Sequence, residues 1–241
     1  WWVYREMKAL VYTGPETLEY RDAEDPVTGH DTLVKIAHVG ICGSDMHAWA
    51  GHDDRRPAPL ILGHEAAGTI MSGPKTGTRV TINPLVSCGT CEPCLAGREN
   101  LCGTRQIISM PPREGAFAQF VAMRGENLIT VPDATSFAKA SLAEPLACGW
   151  HTVRLVKEAL NGAAASALVI GGGAIGLGAA LALTAQGVPH VTIVEPNAIR
   201  ATYLRETCGQ TVLSPDNLSS QMQFDMVIDG VGYAATRATA S

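Results

Sequence analysis

Apolar and polar residues alternate in short runs along the first half of the chain. Met7-Lys-Ala-Leu-Val-Tyr12 alternates and then breaks at Thr13-Gly14-Pro15. Thr32–Val39 and Thr78–Ile82 are two further strand-like runs, and Ala116–Ala122 returns to the same pattern. Gly and Pro punctuate these runs closely, which predicts a small barrel-like β domain. Between them, Pro84–Gln106 has little periodicity, so it is expected to be a lobe held by metal rather than by a core. The period changes near Ser141. Helical spacing covers Ala143–Leu160, where a domain boundary is expected. Strands Ala167–Ile170, Val191–Glu195, Thr211–Leu213 and Phe224–Asp229 then alternate with helices Gly176–Gln186 and Ala198–Thr207. That alternation predicts an α/β unit with a parallel, doubly wound sheet. A full dinucleotide-binding sheet has about six strands. Four are visible, and an open edge at the last of them is a liability, so the C-terminal part of this domain is expected to be missing.

Composition narrows the classes. The chain has 241 residues, 46% hydrophobic and 17% charged, which fits a packed protein of one large or two ordinary domains and not a disordered one. Lys plus Arg is 18 and Asp plus Glu is 23, a net charge of −5. With no basic run, neither nucleic acid nor an anionic membrane is an expected partner. Apolar runs such as residues 163–170 fall far short of the roughly 20 needed for a membrane span. The start, Trp1–Lys8, is charged and broken, with no apolar core of a signal peptide. A cytoplasmic protein is therefore expected, with residues 1–6, before the strand at Met7, vector-derived. An odd count of seven cysteines argues against a disulfide framework.

Three constellations carry chemistry. Cys88-x-x-Cys91-x-x-Cys94-x7-Cys102 is the most specific, because four thiolates at this spacing can close a tetrahedral zinc site with no open position. Reduced thiols or an iron–sulfur site are the rivals. Gly171-Gly-Gly173-Ala-Ile175-Gly176 fits G-x-G-x-x-G, follows an apolar strand and opens a helix, and Glu195 ends the next strand 19 positions later. Gly171 permits the tight turn, Gly173 lets a pyrophosphate approach the backbone, and Gly176 allows close helix packing. The helix N-terminus offers unpaired N–H groups. Glu195 would accept from ribose hydroxyls and repel a 2′-phosphate, which favours NAD over NADP. Third, Cys42, His64 and a carboxylate would make three protein ligands and leave a fourth position open.

These motifs resemble the medium-chain zinc-dependent alcohol and polyol dehydrogenases. The resemblance runs from Met7 to the end and rests on Gly-Ile-Cys42-Gly-Ser-Asp-Met-His47, Gly63-His64-Glu65-Ala-Ala-Gly68, the four-cysteine lobe, Glu144-Pro145-Leu-Ala and the Gly171 loop. It implies a GroES-like β-rich catalytic domain, 7–146 with a structural-zinc lobe 84–106, followed by an NAD-binding Rossmann domain, 147–241. By position, Cys42 and His64 resemble catalytic-zinc ligands and Glu65 the adjacent carboxylate that binds the metal or exchanges with water. Glu144 stands where ordinary alcohol dehydrogenases have a third ligand cysteine, as in the sorbitol and threonine dehydrogenase branch. Ser44 resembles the proton-relay hydroxyl, His47 the outer relay member, and Asp45 the carboxylate that orients a ligand histidine. Gly171, Gly173, Ile175, Gly176, Glu195 and Arg200 resemble the cofactor side of NAD-using members. The implied cofactors are two zinc ions, one catalytic and one structural, and NAD. The implied partners are an alcohol or polyol and further copies in a homodimer or homotetramer.

Some features depart from the family pattern. The stretch Gly68–Val80 is short, Gly77-Thr78-Arg-Val replaces Gly-Asp-Arg-Val, and Ala48 replaces a tyrosine frequent in sorbitol dehydrogenases. The implied reaction is reversible oxidation of an alcohol to a carbonyl with hydride transfer to nicotinamide. The rivals are a zinc-free quinone reductase and an inactive nucleotide-binding or structural homologue. His30, His38, His52, His151 and His190 are expected at the surface, Cys148 and Cys208 buried in helices, and Trp49 and Trp150 in core packing.

Overall fold

The computed structural model describes residues 6–160 and 163–240. Residues 1–5, most of the stretch expected to be vector-derived, lie outside the described residues. The chain divides into two units, Trp1–Glu144 and Pro145–Ser241. The first runs β1 (Met7–Gly14), β2 (Thr17–Ala23), β3 (Thr32–Gly40), α1 (Gly43–Trp49), β4 (Leu60–Ile61), β5 (Glu65–Ile70), β6 (Arg79–Ile82), β7 (Leu85–Val86), α2 (Glu92–Leu95), β8 (Gln106–Ile107), β9 (Phe120–Met123), β10 (Leu128–Thr130) and α3 (Phe137–Ala140).

Its largest sheet has the order β10-β6-β5-β3-β9, with every pairing antiparallel. Val34, Ile70, Val80, Ile82, Val121 and Met123 form the core on it. A second sheet, β2-β1-β4, packs Met7, Ala9, Val11 and Ile61 together. These inward residues are the alternating positions of β1. β2, by contrast, is exposed along nearly its whole length, a charged edge carrying Glu19, Arg21 and Asp22. The strand expected over Ala116–Ala122 begins only at Phe120. The residues before it turn to another partner: Gly115, Ala116 and Phe117 donate their N–H groups to the carbonyls of Ile61, Gly63 and Leu62. That crossing holds the segment before His64 in place.

α4 (Ala143–Leu160) leads into the second unit, which continues β11 (Ser166–Ile170), α5 (Ala174–Ala185), β12 (His190–Val194), α6 (Ala198–Glu206), β13 (Thr211–Leu213), β14 (Met226–Asp229) and α7 (Ala234–Ala240). Its sheet is parallel with order β13-β12-β11-β14. This is the leading part of the doubly wound order, with β14 at one edge. Val169, Ile193 and Ile228 meet Val153, Leu183 and Leu204 from the helices on one face. Leu168, Ile170 and Val194 meet Leu218, Phe224 and Ala240 on the other. Truncating a fully buried Leu183 or Leu204 to Ala would cost about 2–5 kcal/mol.

Among the described residues, no helix is long and apolar enough to cross a membrane. The five motif-free histidines are all exposed, as expected. Three apolar expectations fail. Cys148 is exposed, Trp150 is half exposed, and Cys208 is only partly buried and lies just past the end of α6. α4 is amphipathic, so its outward face takes whatever residues the inward face leaves.

Candidate metal and nucleotide sites

The four cysteines of the lobe converge so that all four sulfurs lie within 4.8 Å of one another. Cys88 and Cys94 are 3.9 Å apart and Cys91 and Cys94 3.4 Å. A disulfide needs about 2.05 Å. Four sulfurs each at about 2.3 Å from a shared zinc would sit about 3.8 Å apart, so the spacing fits a metal and not a bridge. Backbone N–H groups of Thr90 and Cys91 hold the Cys88 thiol down at about 5. In Cys91 the Cys94 N–H pulls the same way, but the neighbouring thiols outweigh it and push it up to about 12. The thiols resist ionising together unless a cation compensates them. The elements here, α2 and the two-residue strands β7 and β8, are too short to build a core of their own.

The second group is assembled by the large sheet. Cys42 follows β3, and His64 and Glu65 open β5, whose antiparallel register sets Gly40 opposite Glu65. Donor atoms of Cys42, His64 and Glu65 all lie within 4.8 Å of one another. Gly40 makes this possible, since a Cβ there would sit 2.2 Å from Glu65 Oε2. Asp45, 2% exposed, ties the segments together. Its Oδ2 accepts from the Cys42 N–H at 3.0 Å and its Oδ1 from the Gly63 N–H at 3.1 Å, with His64 Nδ1 3.5 Å from Oδ1. At that length and alignment Nδ1 is left without a hydrogen-bond partner. Burial lowers the proton affinity of His64, but Asp45 and Cys42 more than offset it and raise its pKa to about 10. His64 in turn lowers the Cys42 thiol. Burial, and then the charge of Glu144, raises Glu65. Glu144 stands outside the close trio but near enough to act on it. A thiolate, an imidazole and a carboxylate are the donor set of a zinc site with an open position.

Ser44 and His47 both lie on α1. Ser44 is partly buried, and His47 is exposed with its ring edge-on to His52, centroids 5.6 Å apart.

In the second unit, Gly171 has φ +88°, and a Cβ on Gly176 would sit 1.7 Å from the Gly171 carbonyl. Gly173 caps α5, and the space beside it is open. A phosphate can therefore approach the free N–H groups at the start of α5. Ile175 is 41% exposed on the first turn. Glu195 is buried, with Oε2 accepting from the Gly172 N–H at 2.8 Å and from Arg200 Nη1 at 3.2 Å, and Oε1 from the Asn197 N–H at 2.7 Å. Burial raises its pKa, but these donors win and keep it low. The carboxylate stays charged beside the loop, with one of about four lone-pair positions still open.

One feature near the first unit's site has no sequence motif. Arg56, Asp53 and Ser109 form a buried polar cluster reaching Ser44. Arg55-Arg56-Pro57 resembles an ordinary solvated basic pair, and the partner carbonyl lies 53 residues away.

Residues 28–133 match the alcohol dehydrogenase GroES-like domain. The chain is 35% identical over 208 residues to sorbitol dehydrogenase of Bacillus subtilis, covering 82% of this chain and 58% of that protein. The chain thus spans little more than half the length of that relative. Among solved structures, a zinc-binding dehydrogenase from Sinorhizobium meliloti bound to NADP aligns with TM-score 0.86 at 28% identity, over 98% of this chain and 73% of that one. An Escherichia coli CFT073 alcohol dehydrogenase complexed with NADH aligns with TM-score 0.85 at 25% identity, over 98% and 72%. With the GroES-like domain match, the parallel sheet and both cysteine-bearing clusters in place, the chain is similar to the zinc-dependent medium-chain alcohol and polyol dehydrogenases.

Proposed function

We propose that this chain carries the metal and dinucleotide sites of an NAD-dependent zinc dehydrogenase that interconverts an alcohol or polyol and its carbonyl. The observation that carries the reading is the convergence of Cys42, His64 and Glu65, with the relay candidate Ser44 two residues from Cys42. Residues 7–146 are taken as the catalytic domain and 147–241 as the nucleotide domain.

Cys42 and His64 would hold the catalytic zinc, with Glu65 or Glu144 as the carboxylate, and the four cysteines would hold a second, structural zinc. When bound, the catalytic metal supplies Lewis acidity and the nicotinamide takes the hydride. The rest falls to the chain. Asp45, 3.5 Å from His64 Nδ1, would draw that ring nitrogen by its charge and so bias the ring's direction. Ser44 accepts the proton leaving the substrate oxygen, and His47 passes it on to solvent. Gly171, Gly173 and Gly176 let the pyrophosphate reach the backbone, with Ile175 alongside. Glu195 takes a ribose hydroxyl on its one open lone-pair position, and its retained charge disfavours a 2′-phosphate. Arg200 steadies that carboxylate. The active protein is read as cytoplasmic and homo-oligomeric.

The test is a panel of polyols, secondary alcohols and amino alcohols, assayed on the full-length protein for NADH and NADPH formation. Turnover of at least one class with NAD preferred is expected. No turnover of any, with zinc bound, would overturn the reading.

A further inference from the structure

Arg56 is 3% exposed, and its guanidinium is held at three points. Nε donates to the Ser109 carbonyl at 2.9 Å, Nη1 to Asp53 Oδ2 at 2.5 Å, and Nη2 lies 3.5 Å from Ser44 Oγ. The two anchors are themselves fixed. The Asp53 side chain is 6% exposed and is gripped from its other flank by Arg55, Nε at 2.8 Å and Nη2 at 3.0 Å. Ser109 is fully buried in the left-handed region, φ +71°, which residues other than glycine rarely adopt. Strain of this kind persists only where the surroundings impose it, and it gathers at functional sites.

We propose that Arg56 is a positioning residue for Ser44, setting the direction in which the relay hydroxyl points. The inference rests on the relay reading given above. A serine hydroxyl has one proton to donate and two lone pairs to accept with. Arg56 has only donors, so its approach occupies one lone pair. One lone pair remains to accept from the substrate, and the hydroxyl proton, which lies within hydrogen-bond reach of the Cys42 thiol, is the one a relay would donate onward. Left alone, a serine near the start of a helix turns its hydroxyl to nearby backbone groups. A guanidinium tethered at Ser109 and Asp53 cannot follow that rotation. At 3.5 Å this is a long, weak hydrogen bond, so it adds little stability and acts chiefly by setting the direction of the hydroxyl. A purely structural clamp, joining the Asp53 loop to Ser109, would make no use of Nη2.

A double-mutant cycle on the full-length protein separates these roles. Arg56→Met should lower kcat about tenfold, with KM and zinc content near wild type, and Arg56→Lys should restore part of the loss. In a Ser44→Ala background, Arg56→Met should change kcat less than about twofold. A loss as large without Ser44 as with it, or no loss at all, would overturn the proposal. Should Arg56→Met not fold, Arg56→Lys keeps the charge and the Asp53 contact, and the cycle is read with it at about threefold. Crystal structures of wild type and variant give a readout independent of turnover. The Ser44 side chain should leave its wild-type rotamer when Arg56 is replaced, and an unchanged rotamer contradicts the inference. If the wild type oxidises no alcohol, the dehydrogenase reading falls, while the rotamer still decides this one.

Discussion

The two ligand groups of the first unit are assembled in opposite ways. The lobe cysteines all fall within residues 88–102 and are supported by one short helix and two-residue strands. The other group joins Cys42, after β3, to His64 and Glu65, at the start of β5, through the β3–β5 pairing and the bridging Asp45. The first geometry is local and has little core beneath it, so it should depend on the metal. The second is built by the sheet, whose core residues Val34 and Ile70 are fully buried, so it should persist without metal.

The largest expected effect is on the lobe. Structural zinc sites in small domains contribute on the order of 10 kcal/mol. Cys102→Ser should therefore abolish amide protection across residues 88–105, while the amides of β3 and β5 keep theirs in hydrogen exchange. Retained protection in the lobe would erase the contrast between the two groups.

A smaller effect is expected at Asp45, which lies 3.5 Å from His64 Nδ1 and is not among the proposed ligands. Asp45→Asn should weaken zinc at the Cys42 group by about 10- to 100-fold in a chelator competition and leave the lobe zinc in place. Equal weakening at both would mean that the two groups are not independent.

The smallest effect concerns the clamp on Arg56. Hydrogen bonds from Arg55, then Arg56, hold the Asp53 carboxyl down at about 2. A carboxyl whose folded pKa is depressed stabilises the fold above its unfolded value near 4, and loses that contribution as the pH falls through about 2. Arg55 is 70% exposed, so solvent screening leaves about 1 kcal/mol. Asp53→Asn should lower stability by about that much at pH 7, with the difference from wild type shrinking as the pH falls toward about 2 and vanishing below it. Equal loss at both pH values would point to packing instead.

What the sequence showed follows the same divide between local and distant. The Cys88–Cys102 spacing, the Gly171 loop and strand Thr211–Leu213 are written in contiguous residues, and their positions were legible. β2 was not, because an exposed edge strand with Glu19, Arg21 and Asp22 has no buried face to mark it. α1 was hidden too: it begins Gly-Ser-Asp, and its start is fixed by Asp45 reaching back to the Cys42 N–H rather than by a hydrophobic stripe. The strand over Ala116–Ala122 starts later than its alternation predicts, because its first residues bond to residues 61–63, a partner no local pattern reveals. Arg56 is the extreme case: it lies in an unremarked basic pair, and its burial depends on a carbonyl 53 residues away.

The claim on which the rest depends is that Cys42, His64 and Glu65 form a metal site separate from the lobe. Zinc per chain, measured by elemental analysis on purified wild type and on Cys42→Ala, tests it most directly. The account predicts two equivalents in the wild type and one in the variant, with the remaining equivalent held in an intact lobe. One equivalent in both proteins would contradict it.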